Sequence, residues 1–210
     1  MSQLLLPTVV PAPAGAAPAP APAAAGARPL VIGLDLSLTC TGIAGHGWSE
    51  HVRGGTRRGE ERLGYILGEL QSFYRAADFV AIEGESFASK HRHDEMISLF
   101  WLVRLDLWKR GIPIAVIKPA KRVVYVLGNG QPCDPATGHR LTGDPLKAAV
   151  RDAASALFGV EFEGPGKFDR ADAYVVFAMA MHHLGHPLAE LPATHTRALD
   201  GVAWPERTDQ

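Results

Sequence analysis

Twice in this chain a short apolar run, rich in β-branched residues, ends on a carboxylate. Residues 30–34 (LVIGL) lead into Asp35, and residues 78–82 (DFVAI) lead into Glu83. Runs of this length and composition read as strands buried on both faces. An acid that closes such a strand is costly to desolvate, so it is paired, bound to a metal or exposed at a cleft. For Asp35 a plainer role as a turn cap is also open. The polar residues Ser37, Thr39, Thr41 and Gly42 follow it. Residues 43–48 then read as the returning strand of a hairpin, and residues 50–55 as a third strand.

Further along, residues 62–77 place Leu63, Ile66, Leu67, Leu70, Phe73 and Tyr74 at helical spacing, with one apolar face. Residues 95–110 are helical but apolar on nearly every side, including Met96, Phe100, Trp101, Leu105 and Trp108. A helix of that kind buries more than one side. One face belongs on the sheet and another on a second copy, which makes this helix the expected dimer interface. Residues 112–117 (IPIAVI) form a fifth strand, and Pro119 opens a helix running to about Leu127. Residues 128–143 are turn-rich without structure of their own, Asp144 caps a helix over 145–158, and a last helix covers 168–184. Near its start lie Asp169 and Asp172, three apart and therefore on one face. Acids in a first helical turn complement the macrodipole, which accounts for Asp169 more easily than for Asp172.

The ends of the chain differ from the middle. Residues 1–28 are mostly Ala and Pro without periodicity and read as a disordered tail; residues 187–210 read as a second, polar tail. The domain between them is 29–186. The start makes a poor secretory signal, because Pro7 breaks its apolar core and no Lys or Arg precedes it. No apolar run reaches the roughly 18 residues of a membrane span. Net charge is −1, so any nucleic-acid footprint is local rather than global. The two cysteines, Cys40 and Cys133, have no metal-ligand pattern and suit a reducing compartment.

Three antiparallel strands followed by strands joined through crossover helices give an α/β fold, with a mixed five-stranded sheet and helices on both faces. The first and fourth strands can then lie parallel and adjacent, with Asp35 and Glu83 at one edge and the last helix bringing Asp169 and Asp172 to them. Four such acids repel one another unless cations hold them. Carboxylate oxygens suit Mg²⁺ or Mn²⁺, and two such ions about 4 Å apart clamp an in-line displacement at phosphorus. Basic groups for the substrate phosphates come from three segments: Arg57 and Arg58; Lys90 and Arg92; and Lys118, Lys121 and Arg122. His182, His183 and His186 near the end of the last helix offer no complete ligand set, and histidine there suits the helix dipole.

The blocks GLDLSLTCTGIA, AIEGESFASK and FDRADA, in that order over residues 30–184, resemble the signature blocks of RuvC-type Holliday junction resolvases in the ribonuclease H-like superfamily. The resemblance implies a ribonuclease H-like fold and a Mg²⁺-dependent endonuclease that resolves four-way DNA junctions by paired nicks. It implies catalytic, metal-holding roles for Asp35, Glu83, Asp169 and Asp172, with Glu85 a rival to Glu83. It also implies a homodimer, a base-contacting aromatic at Phe87 and a catalytic lysine at Lys147. A bacterial or phage-infected cytoplasm is the implied setting. The sequence departs from the family pattern in an insert around residues 131–141, and Leu36-Ser37 replace a customary glycine. Two other classes compete: a catalytically silent junction-binding scaffold, and an ATP-binding module of the actin and sugar-kinase type. The second needs two lobes and about twice this length.

Overall fold

The computed structural model describes residues 28–84 and 93–205. β1 (Val31–Asp35), β2 (Thr41–Gly45) and β3 (Trp48–Val52) form an antiparallel meander. The turn between β2 and β3 is the pair His46-Gly47, where Gly47 takes φ 78°, a left-handed conformation that glycine adopts without a Cβ clash. This tight turn starts β3 at Trp48, two residues before the start expected from composition. Helix α1 (Gly59–Tyr74) leads to β4 (Phe79–Glu83), which lies parallel to β1. Helix α2 (His93–Lys109) leads to β5 (Ile114–Ile117), parallel to β4, so the sheet order is β3-β2-β1-β4-β5. Helices α3 (Pro119–Leu127), α4 (Gly143–Phe158) and α5 (Lys167–His183) complete the expected set. α3 begins on Pro119 and stops at Gly128 in the left-handed region, the usual asymmetry of helix ends.

The sheet separates two cores. Ile32, Leu34, Val80 and Ile82 face α1 and α2 and pack with Ile66, Leu70, Leu99, Val103 and Leu107. Val31, Phe79, Ala81, Ala115 and Ile117 point the other way, onto α3, α4 and α5. Period-two alternation therefore assigns Asp35 and Glu83, two residues beyond Gly33 and Ala81, to the α5 face. The pairing runs from Val31 beside Phe79 to Leu34 beside Ile82, which makes Asp35 and Glu83 the next neighbours.

α5 lies unusually close to the sheet. All residues from Ala171 to Met181 are buried, and the helix crosses β1, β2 and β4. A Cβ on Gly33 would sit 2.2 Å from the Ala173 carbonyl oxygen, and one on Gly42 would sit 1.9 Å from that of Asp169. Glycines in β1 and β2 and alanines along α5 allow this backbone-to-backbone seat.

Two expectations are corrected. The stretch from Pro187, read as a polar tail, folds back through α6 (Ala193–Thr196) and a 3₁₀ turn (Arg197–Leu199) as far as Trp204. Ala198 is fully buried, Leu188, Leu191, Leu199 and Val202 pack on the α3–α5 core, and Trp204 stacks on His183 at 4.2 Å. Its apolar residues follow neither helical nor strand spacing, so no periodicity reveals them. Likewise the insert between α3 and α4 holds a small hairpin, with Cys133 bridged to Arg140 and the Ala136 amide donating to Asp134.

Candidate active site: a carboxylate pocket at the sheet edge

Strand ends and helix meet at one point. Asp35, Glu83 and Asp172 each present a carboxylate oxygen within 4.8 Å of the other two. β1 and β4 deliver the first two by parallel register, and the glycine floor lets α5 deliver the third. Asp169 stands one turn nearer the helix start, outside this close trio. Its charge nonetheless raises both Asp35 and Glu83. Lys147, exposed near the start of α4, acts on the same two carboxyls in the opposite sense.

Burial and like charge dominate the electrostatics. Desolvation, followed by the charge of Glu83, pushes Asp35 well above the ordinary carboxylate range, against the pull of Arg122 and Lys147. Glu83 is also raised by burial, although Arg122, a hydrogen-bonding contact with Asp35, and Lys147 oppose the shift. Glu83 Oε2 is buried without a hydrogen-bond donor. An orphaned, buried carboxylate oxygen inside an all-oxygen donor set fits a hard divalent cation such as Mg²⁺.

Arg122 belongs to this pocket and not to the DNA-facing surface expected of it. Its Nε lies 3.3 Å from Glu83 Oε1, and its Nη1 pairs with Asp172 Oδ1. A clue was present in the spacing. Residues 122, 125 and 126 fall on one face of α3, and Tyr125 and Val126 are core residues. Lys121 is likewise committed, its ammonium donating to the Asp200 carbonyl at 2.6 Å. Arg57 is held locally, its guanidinium 3.8 Å from the Tyr65 ring centre and paired with Glu61. Arg58 and Lys118 are exposed. Phe87, Lys90 and Arg92, with Glu85, lie outside the described residues.

Sequence reasoning missed the surroundings of Asp169. Cys40 lies beside it, and burial together with Asp169 raises this thiol to about 11. Strand register sets Arg53 next to Cys40, since Thr41 pairs with Val52. The His51 ring and the Cys40 sulfur close on Gly166, which caps α5 with φ 70°. Among the described residues the histidines of α5 form no metal-ligand group. His182 Nδ1 lies 3.0 Å from the Tyr125 hydroxyl, and His183 stacks on Trp204.

No protein-family model matches this sequence, and no curated protein sequence matches it. Solved structures do. Thermus thermophilus RuvC superposes with a TM-score of 0.52 at 19% identity, covering 75% of this chain and 97% of that one. The chain has a RuvC-like fold. T. thermophilus RuvC in complex with a Holliday junction substrate gives a TM-score of 0.50 at the same 19% identity and the same coverage. The α/β architecture with its mixed five-stranded sheet matches the sequence expectation.

Proposed function

We propose that this protein is a metal-dependent, structure-selective endonuclease that resolves four-way DNA junctions by paired nicks. The observation that carries the reading is the convergence of Asp35, Glu83 and Asp172 from three separate elements into one half-buried pocket, at the C-terminal edge of a RuvC-like sheet. Asp35, Glu83, Asp172 and Asp169 would hold divalent ions, Mg²⁺ first with Mn²⁺ in its place, whose chemistry when bound is to activate water and neutralise the leaving 3′-oxygen. The chain's own groups do the rest. The seat of α5 on Gly33 and Gly42 fixes the carboxylates before substrate arrives. Lys147 offers its ammonium to a phosphate at the open side of the pocket. Arg58, whose guanidinium also donates to the Arg57 carbonyl at 3.0 Å, and Lys118 are exposed and can meet flanking phosphates.

A second copy completes the reading. On α2, Leu99, Phe100, Val103 and Leu107 are buried, whereas Trp101, Leu102, Leu105 and Trp108 are exposed, Trp108 by 73%. Positions 101, 105 and 108 form one stripe, which supports a helix face covered in a homodimer carrying two pockets to one junction.

The test uses a synthetic four-way junction and a linear duplex of the same sequence, each with Mg²⁺ and with EDTA. Symmetric nicking of the junction alone, lost in EDTA and in Asp35→Asn, is the expected result. Junction binding without nicking in Mg²⁺ or Mn²⁺ would replace the nuclease by a silent scaffold.

A further inference from the structure

The pocket contains a positive group of its own, and its placement bears on how metal enters. We propose that Arg122 is a resident cation of the carboxylate pocket, holding Glu83 and Asp172 in the metal-free protein and competing with a divalent ion for them. The inference rests on the metal-dependent reading above and specifies how that site loads.

Geometry makes the overlap direct. Glu83 and Asp172 are two of the three carboxylates that lie within 4.8 Å of one another, and both are paired to the one guanidinium. The Arg122 side chain is only 10% exposed, so its charge is poorly screened by solvent. The guanidinium sets its charge against the two carboxylates that a hard cation would also need. Its charge also stands a few ångströms from where the ion would bind.

Nor can the arginine withdraw by a shift of its helix. α3 is pinned from behind by the C-terminal segment. His195 Nδ1 donates to the Tyr125 carbonyl at 2.9 Å, Arg197 Nη2 donates to that of Gly128 at 3.1 Å, and Lys121 Nζ donates to that of Asp200 at 2.6 Å. A Cβ on Gly128 would lie 2.7 Å from the His195 ring, which shows how tightly that segment is seated. With the backbone fixed, the two carboxylates are freed by side-chain rotation, of Arg122 or of the acids themselves. The arrangement has a clear physical use. Without a cation these buried acids would repel one another, and Arg122 keeps the pocket in shape until metal arrives. The consequence is weaker binding of the ion, because part of its attraction is spent on displacing the guanidinium.

The experiment is Mn²⁺ binding to the DNA-free, full-length protein by calorimetry, with Mn²⁺ EPR as an independent count of free ion. Arg122→Gln is expected to lower the Mn²⁺ dissociation constant by about tenfold or more, the scale set by removing a like charge a few ångströms away. Arg122→Lys keeps a cation but cannot reach both carboxylates with separate nitrogens, and should fall between wild type and Arg122→Gln. Thermal melts establish that each variant folds; if Arg122→Gln does not, Arg122→Lys carries the test. A folded variant binding Mn²⁺ no more tightly than wild type would overturn the role given to Arg122 and leave the nuclease reading intact. Failure of wild type and both variants to bind Mn²⁺ at millimolar concentration would overturn the metal-dependent reading itself, and this inference with it.

Discussion

Removing the charge of Asp35 should make the metal-free protein more stable while abolishing cleavage. Arg122 pairs directly with Glu83 and Asp172 but not with Asp35, so Asp35 is the least compensated of the three. Its nearest oxygen lies within 4.8 Å of both other carboxylates. At that separation, and with an effective dielectric constant of about 20, each like-charge pair costs roughly 3 kcal/mol before the cations offset it. Arg122 and Lys147 reduce that cost, and proton uptake can replace repulsion, since burial and Glu83 raise the Asp35 carboxyl. Either way the wild type bears a penalty that a nearly isosteric amide escapes. We expect Asp35→Asn to gain about 1–3 kcal/mol, which for a domain of this size is about 2–12 °C in melting temperature. The assay is a thermal melt followed by circular dichroism at neutral pH, in EDTA and in saturating Mg²⁺. In Mg²⁺ the wild type should recover or overtake the variant, because ligand bound to the native state alone adds RT ln(1 + [L]/Kd). A variant that melts at or below wild type in EDTA would refute the reasoning, for the pocket would then be compensated without metal.

Three other outcomes follow from the same structure. Gly33→Ala should destabilise by about 1–3 kcal/mol or more, because the new methyl meets the backbone of α5, which cannot rotate away; urea denaturation reads it, and an unchanged midpoint would contradict the close seat. Trp101→Glu should yield monomers in analytical ultracentrifugation that circular dichroism still shows to be folded; an intact dimer would remove α2 as the interface. Asp106 accepts from Gln71, from the Tyr74 hydroxyl at 2.8 Å and from Arg110. Burial alone would raise this carboxyl, but those donors outweigh burial and hold it below its ordinary value. Its contribution is therefore complete above the unfolded value of about 4 and is lost as pH falls through the lower folded value. Asp106→Asn should cost about 1–2 kcal/mol at pH 7 and progressively less below about pH 4, and a gap independent of pH would contradict it.

What the sequence makes legible here is whatever repeats or terminates on a short scale. Strands of five residues ending at Asp35 and Glu83 could be read from composition, because an acid closing an apolar run is costly to bury. Asp169 and Asp172 could be placed on one face from their spacing alone. Arg122 could not be assigned as readily. A basic residue one turn into a helix looks solvated, and only its company with Tyr125 and Val126 on one face points inward. The segment ending at Trp204 was illegible for another reason. Its anchors are single apolar side chains between prolines and polar residues, and they act through long-range contacts such as Trp204 on His183 and Phe79, which leave no local period.

The long-range part is also what gives the short-range part its meaning. Parallel register can bring Asp35 beside Glu83, yet two carboxylates at a sheet edge are common. The third arrives because β1 and β2 offer glycines where α5 crosses, so the helix axis can approach until its carbonyls touch the strands. Larger residues at positions 33 and 42 would lift α5 away from the sheet and carry Asp172 with it. The pocket would then open, Arg122 would lose its pairing with Asp172, and the close trio would be reduced to Asp35 and Glu83. In this reading the glycines are as much a part of the site as the acids. Gly33→Ala should therefore weaken Mn²⁺ binding under conditions where its melt still shows a folded protein. Unchanged Mn²⁺ affinity in that folded variant would separate the seat of the helix from the geometry of the pocket.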